Sequence, residues 1–249
     1  MAPFELFDRT GRAAVVTGGG SGIGRATAVA LGRAGSPVMV LDVNESAAED
    51  TASSITRSGG RAVSAPVDVS QQAQVDAVAD HAASELGLLH LWVNVAGIMR
   101  HQRAVDVTEA DFDAVLAVNL KGVLFGSQAA VRTMAPRRAG SIVNVVSAIV
   151  DAAAGGVAGY AVSKAGATML TKCLGAEVGR LGIRVNAVAP GWTDTAMTRR
   201  PAGGHEGEDQ ADPAAEAAKQ ARFVPMGRAA EPRMWPTPCC SWPRARHGS

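Results

Sequence analysis

Tyr160 is the only tyrosine in 249 residues, and Lys164 follows it by four positions in a stretch of helical period running over 159–181. Residues four apart on a helix share a face, so this spacing sets an ammonium one turn from a phenol. A phenol can hand a proton to a carbonyl oxygen while a hydride attacks the carbon, but its free pKa of about 10 makes it a poor base at neutral pH. A nearby cation favours the phenolate, and the spacing therefore predicts that Lys164 pulls the Tyr160 pKa down. Ser147, at the end of a Val-rich run, would hydrogen-bond the same substrate oxygen as negative charge develops on it. Taken singly, each residue has a plain reading: Tyr160 a part-buried aromatic, Lys164 a solvated lysine, Ser147 a strand-end turn residue, Asn119 a polar residue inside a helix. The sole tyrosine at a fitting offset from both Ser147 and Lys164 shifts the balance to catalysis.

For these side chains to meet, strands must carry them to one edge. Short Val-rich runs at 13–17, 37–41, 62–67, 89–94, 141–146 and 184–188 alternate with longer segments of helical period at 22–33, 45–57, 71–86, 109–134 and 159–181. Helices of that length serve as right-handed crossovers between parallel strands. The expected fold is α/β, a Rossmann-like doubly wound parallel sheet in three αβα layers with six strands. Residues 1–232 read as a single dinucleotide-binding and catalytic domain. Within it, the polar, Gly/Pro/Glu-rich stretch 195–222 is expected to be a lid over the substrate, against the alternative of a surface insertion.

The first strand runs into Thr17-Gly18-Gly19-Gly20-Ser21-Gly22-Ile23-Gly24, and a helix pattern opens at once behind it. A pyrophosphate must approach backbone amides at a helix N-terminus, and side chains at Gly18, Gly22 or Gly24 would obstruct it or the turn. Gly18, Ser21, Gly22, Ile23 and Gly24 are thus candidate cofactor contacts. Asp42 ends the second strand, 18 residues beyond Gly24, near the separation at which a carboxylate meets the adenosine ribose. It would accept from the ribose hydroxyls and repel a 2′-phosphate, so the expected cofactor is NAD; the competing role is capping of the next helix, which Asn44 could also fill.

These motifs together resemble the short-chain dehydrogenase/reductase family. Thr17, Gly18, Gly22 and Gly24 match its glycine pattern; Asn94-Val95-Ala96-Gly97 matches its Asn-Asn-Ala-Gly element except at Val95; Asn119, Ser147, Tyr160, Lys164 and Pro190-Gly191 follow in the family order. The resemblance covers roughly 10–232. It implies NAD(H)-dependent interconversion of a secondary alcohol and a ketone, with Asn119, Ser147, Tyr160 and Lys164 catalytic and Asn119 anchoring a water beside Lys164. It also implies that Lys164 holds the nicotinamide ribose, that Asp68 and Val69 hold the adenine edge, and that Asn94, Ala96 and Gly97 line the cofactor cleft, although Asn94 could instead tie strands together. Pro190, Gly191, Thr193 and Thr195 would meet the nicotinamide. Ile98, Met99, Ala148, Ile149 and Trp192 follow motif ends and hint at an apolar pocket, with Ser147, Ile149, Tyr160 and Trp192 contacting a small-molecule substrate. A 3-oxoacyl thioester or a polyol, steroid-like or other alcohol are candidate substrates; Arg100, Arg103, Arg137 and Arg138 could form a basic entrance for an acyl carrier protein. The alternative class is a non-catalytic NAD-binding or scaffold protein, with an epimerase as a weaker third reading.

Lys and Arg total 24 against 23 Asp and Glu, so no charge excess recruits nucleic acid or an anionic membrane. The N-terminal residues lack an apolar signal core and no uncharged run approaches a membrane span, which points to a cytoplasmic protein. Cys173, Cys239 and Cys240 form no disulfide framework, and the five histidines lack ligand spacing, so no metal is expected. From Arg233 onward the chain departs from the resemblance: its last 17 residues hold three prolines, two of the three cysteines and two of the four tryptophans. This tail, 233–249, reads as irregular and frame-shifted or truncated, lacking the family's usual seventh strand. The resemblance implies a homotetramer or dimer, and loss of that strand would weaken it.

Overall fold

The computed structural model describes residues 8–152, 154–199 and 229–234. Six strands, β1 (Ala13–Thr17), β2 (Val38–Asp42), β3 (Ala62–Pro66), β4 (Leu89–Asn94), β5 (Gly140–Val145) and β6 (Ile183–Val188), form one sheet in the order β3-β2-β1-β4-β5-β6. Every pairing is parallel. Parallel strands sandwiched by helices are buried on both faces, which is why β1 reads Ala-Ala-Val-Val-Thr with all five residues buried. The strand order reverses between β1 and β4, so the chains leaving their C-terminal ends diverge to opposite faces and open a crevice there.

Five helical regions were expected, and α1 (Gly22–Arg33), α2 (Glu45–Arg57), α3 (Gln72–Leu86) and α6 (Ala158–Val178) lie within a few residues of their expected limits. The fifth differs. In place of one regular helix over 109–134, the chain forms α4 (Glu109–Leu116), a five-residue π-helical turn at Ala117–Lys121, and α5 (Gly122–Met134). A π turn inserts one extra residue into the helix and is commonly found at functional positions; this one contains Asn119.

The core lies in two halves, one on each face of the sheet. Ala28 and Leu31 of α1 and Ala48, Ala52 and Ile55 of α2 pack on Val16, Val40 and Val93; Val75 and Ala79 of α3, Ala129 and Met134 of α5 and Val178 of α6 pack on Val15, Leu41 and Trp92. The helical stretch Glu109–Arg137 is long and apolar enough, by length and composition, to cross a membrane. Here its α5 portion packs against β4 and α3, which accounts for that composition.

Candidate active site

The glycine turn after β1 is shaped by what cannot fit. Gly18 and Gly22 hold φ of +65° and +49°, which disfavours other residues. A Cβ on Gly18 would lie 2.7 Å from the backbone of Ala96, and one on Gly24 only 1.9 Å from the Gly18 carbonyl oxygen. The turn therefore nests against the chain leaving β4 and tucks α1 tightly beneath itself. Ser21 is the extended residue opening α1, and its hydroxyl makes no capping bond to the helix. Ile23 is half-buried behind it. A diphosphate fits this cradle: backbone amides at a helix start, no side chains in the way, one hydroxyl beside them.

Asp42 closes β2 with its Oδ2 accepting from the Gly20 N–H at 2.9 Å and its Oδ1 from the Asn44 N–H at 3.0 Å. The capping role goes to Asn44, whose Oδ1 accepts from the Ala47 N–H at the start of α2. Asp42 thus stands at the sheet edge beside the glycine turn without serving as a cap.

Across the crevice, Thr17 pairs with Asn94 and Asn94 with Asn144, a polar row over the tips of β1, β4 and β5. The Asn94 side chain is 3% exposed; its Oδ1 accepts from Trp92 Nε1 at 2.8 Å, and its Nδ2 donates to Asn144 Oδ1 at 2.9 Å and Ser127 Oγ at 3.2 Å. Its amide therefore ties β4 to β5 and α5, as the strand-tying alternative expects. Thr17 Oγ1 accepts from the N–H groups of Val95 and Ala96, holding that loop to β1.

Asn119, on the π turn, is fully buried. Its Oδ1 accepts from the Ile98 N–H at 2.8 Å, and its Nδ2 donates to the Ile98 carbonyl at 2.9 Å and to Ser163 Oγ at 3.0 Å. It clamps the loop after β4 to α6. Gly97 lies between: a Cβ there would come 3.2 Å from Asn119 Oδ1 and 3.5 Å from Lys164 Nζ. Gly18, Ala96, Gly97 and Lys164 thus form a continuous path from the glycine turn to α6.

On α6, Lys164 is 3% exposed and donates from Nζ to the Val145 carbonyl at 2.8 Å, with Nζ 5.7 Å from the centre of the Tyr160 ring. Burial pushes its ammonium down to about 8. Tyr160 is half-buried, and the hydroxyl of Ser147, two positions beyond the end of β5, lies near enough to favour its phenolate. The expectation that Lys164 lowers the phenol is corrected here: burial pushes Tyr160 up, and the opposing influence is the Ser147 hydroxyl. The lysine charge is directed at the Val145 carbonyl, while loss of solvent dominates at the phenol.

The remaining expected residues are less uniform. Asp68 accepts from both the N–H and hydroxyl of Ser70, closing the turn before α3, and Val69 packs into the core, in the space left by the absent side chain of Gly122. Pro190 accepts from the Ala148 N–H, and Ile149 N–H reaches back to Ser147 Oγ at 3.3 Å, so both sit beside the serine. Gly191 is exposed and Trp192 half-buried. Thr193 is buried and bridges to Ala230; Ala230 donates to the Trp192 carbonyl and accepts from Asp194, each at 2.9 Å. Thr195 lies against the glycine turn, its Cγ2 3.3 Å from where a Gly22 Cβ would be. The expected lid falls outside the described residues from 200 on, as does the tail from 235.

Arg137 and Arg138 precede β5, at the opposite end of the strand from Ser147, and so do not border the cleft as an entrance patch. Arg100 does: it lines a small cavity with Gln102, Asp111, Phe112 and Tyr160. The sequence reading missed Gln102, Asp111 and Phe112. Thr108, which caps α4 and bonds Asp111, carries the signal that fixes them there, a Thr-x-x-Asp start to a helix. Asn144 was also missed, although an asparagine inside an otherwise apolar run announces a buried hydrogen-bonding partner.

A family model described as short chain dehydrogenase matches residues 12–203. The 5-keto-D-gluconate 5-reductase of Escherichia coli K12 is 33% identical over 195 residues, covering 78% of this chain and 77% of the relative. A short-chain type dehydrogenase/reductase from Mycobacterium marinum superposes with a TM-score of 0.86 at 30% identity, over 95% of this chain and 89% of that one. A Beutenbergia cavernae structure with NADP bound at low occupancy superposes with a TM-score of 0.84 at 31% identity, over 94% and 90% of the two chains. Relatives of this kind are dehydrogenases and reductases acting on CH–OH groups, and with the family model matched over residues 12–203 this chain belongs to the short-chain dehydrogenase family.

Proposed function

We propose that this chain is an NAD(H)-dependent oxidoreductase interconverting a secondary alcohol and a ketone, with Tyr160 as acid and base. The carrying observation is the convergence of Tyr160, the neighbouring Ser147 hydroxyl and the buried Lys164 beyond the tip of β5, in contact through Gly97 and Ala96 with the glycine turn. In the reductive direction, Ser147 and Tyr160 both donate to the substrate oxygen, and Tyr160 gives up its proton as that oxygen becomes an alkoxide. Lys164, fixed by the Val145 carbonyl with its Nζ 5.7 Å from the Tyr160 ring centre, acts by holding the nicotinamide ribose beside the phenol. Asn119 acts by position, holding the loop at Ile98 in place against α6.

A bound nicotinamide dinucleotide supplies or accepts the hydride. Gly18, Ser21, Gly22 and Gly24 would hold its diphosphate, Asp42 its adenosine ribose, Lys164 its nicotinamide ribose, and Thr193 and Thr195 its far end. NAD is favoured over NADP because a 2′-phosphate would meet the Asp42 carboxylate, with Val43 beside it offering no positive charge. Assembly of several copies belongs to the same reading, with the exposed Val162 and Met169 of α6 as the apolar contacts.

The test is NADH consumption over a panel of ketones, with 5-keto-D-gluconate, the substrate for which one relative is named, and a 3-oxoacyl thioester included. Wild type should turn over at least one substrate, and Tyr160→Phe should lose about 10²–10⁴-fold of that rate. Equal turnover by the two proteins would remove Tyr160 as acid and base, and no turnover by the wild type on any ketone would leave the alternative of a non-catalytic NAD-binding scaffold.

A further inference from the structure

At the end of the sheet opposite the cleft, β4 is irregular. Ala13 pairs with Leu89 and Ala14 with Leu91, so His90 is an extra residue bulged out of the register. A bulge turns a side chain out of the regular alternation and is a recurring device for aiming it. His90 Nδ1 is buried and has no hydrogen-bond partner.

Arg137 lies in the short turn Ala135–Arg137 that leads into β5, the strand paired with β4. Its Nε donates to the Ala139 carbonyl at 2.9 Å, which fixes the plane of the guanidinium. Its two terminal nitrogens are both buried and without a partner. Among the described residues, no ion pair reaches it. Arg137 as a residue is half-buried, but the tip of its guanidinium is out of solvent, and unmet donors there cost stability unless a further group meets them. The surroundings add to the need for an anion. Arg12 directly precedes β1; burial and then Arg137 hold the His90 imidazole below its usual range, a hydrogen bond with the Leu88 backbone opposes them, and Arg12 and Arg9 add positive potential.

We propose that this corner is a binding site for a small oxyanion, held by the fork of Arg137 and completed by His90. The two free nitrogens of a fixed guanidinium match two oxygens of one carboxylate or phosphate, a geometry that a spherical halide does not satisfy. His90, on binding, takes up a proton and donates the third bond. Nothing in the proposed oxidoreduction uses either residue, and the site lies at the far end of the strands from Tyr160.

The test is thermal unfolding of the full chain at fixed ionic strength, with chloride replaced in turn by inorganic phosphate and by acetate. A tenfold excess of anion over its Kd should raise the Tm of the wild type by about 3–6 °C. Phosphate acting alone would mark a tetrahedral oxyanion as the ligand, and acetate a carboxylate. His90→Asp supplies a carboxylate from within, so it should melt higher than wild type in chloride and lose the response. Arg137→Met keeps an apolar stem, removes the fork, and should also lose it. Phosphate seated on the glycine turn instead would shift all three proteins alike. That result, or a wild type indifferent to both anions, overturns the proposal.

Discussion

Replacing Lys164 by methionine should make the protein more stable and less active at neutral pH. Lys164 is 3% exposed, and burial takes its ammonium down to about 8. In the unfolded chain it keeps an ordinary value of about 10.4. Below pH 8 both states carry the charge, and the folded state bears a desolvation cost of roughly 3 kcal/mol, since each pKa unit is worth about 1.4 kcal/mol. Between those two values the unfolded chain binds the extra proton, so stability rises with pH, by about 2 kcal/mol from pH 7 to pH 9.5.

Methionine fills a similar volume without the charge. It also leaves the Val145 carbonyl without its donor, at a cost of about 1 kcal/mol. The variant should therefore exceed wild type by about 2 kcal/mol at pH 7, with the margin closing near pH 9.5. Urea unfolding of both proteins at pH 7, 8 and 9.5 reads this difference, because every other titrating group is common to the pair. A margin that stays constant across the three pH values would refute the reasoning. So would a variant less stable than wild type at pH 7. The same substitution should lower turnover by about 10²-fold or more, the usual exchange of stability for activity at a catalytic site.

Gly24→Ala drives a methyl group into the Gly18 carbonyl and should cost about 1–3 kcal/mol, read as a fall in Tm together with weaker NADH binding by fluorescence titration. Asn94→Leu strands Trp92 Nε1 and Asn144 Oδ1 in the interior and should lower the urea-derived stability by about 2–5 kcal/mol without altering the KM for the dinucleotide. Asp42→Ser removes the carboxylate beside the glycine turn and should move the ratio of kcat/KM for NAD over NADP toward NADP by on the order of 10-fold; an unchanged ratio would remove Asp42 from cofactor selection. Because burial raises the Tyr160 phenol, reduction, which needs the protonated form, should be fast at neutral pH, whereas oxidation, which needs the phenolate, should climb through the alkaline range. Initial rates in both directions from pH 6 to 10 check the order of the two optima.

What the sequence disclosed and what it hid divide along a physical line. Six strands and the one-turn offset between Tyr160 and Lys164 on α6 were legible because each follows from periodicity or from a short spacing along one element. The π turn was not, since 109–134 has the apolar period of a plain helix; the extra residue is accommodated by contacts Asn119 makes with Ile98 and Ser163, which are remote in sequence. The electrostatic effect at Tyr160 was misread for a related reason. An i, i+4 spacing reports that two groups are near, and nearness alone argues for a lowered phenol. Desolvation comes from chain remote in sequence, with Val107, Phe112 and Val115 gathered around the phenol, and no local spacing encodes it. Asn94 shows the same limit from the other side: its position at a strand tip suggested the cleft, while Trp92, Ser127 and Asn144 drew its amide into the interior. Short-range pattern thus identifies which groups meet, and long-range burial decides the sign of what each does to the other. Measurements that vary pH and burial independently are therefore more incisive for this site than deletion of its side chains.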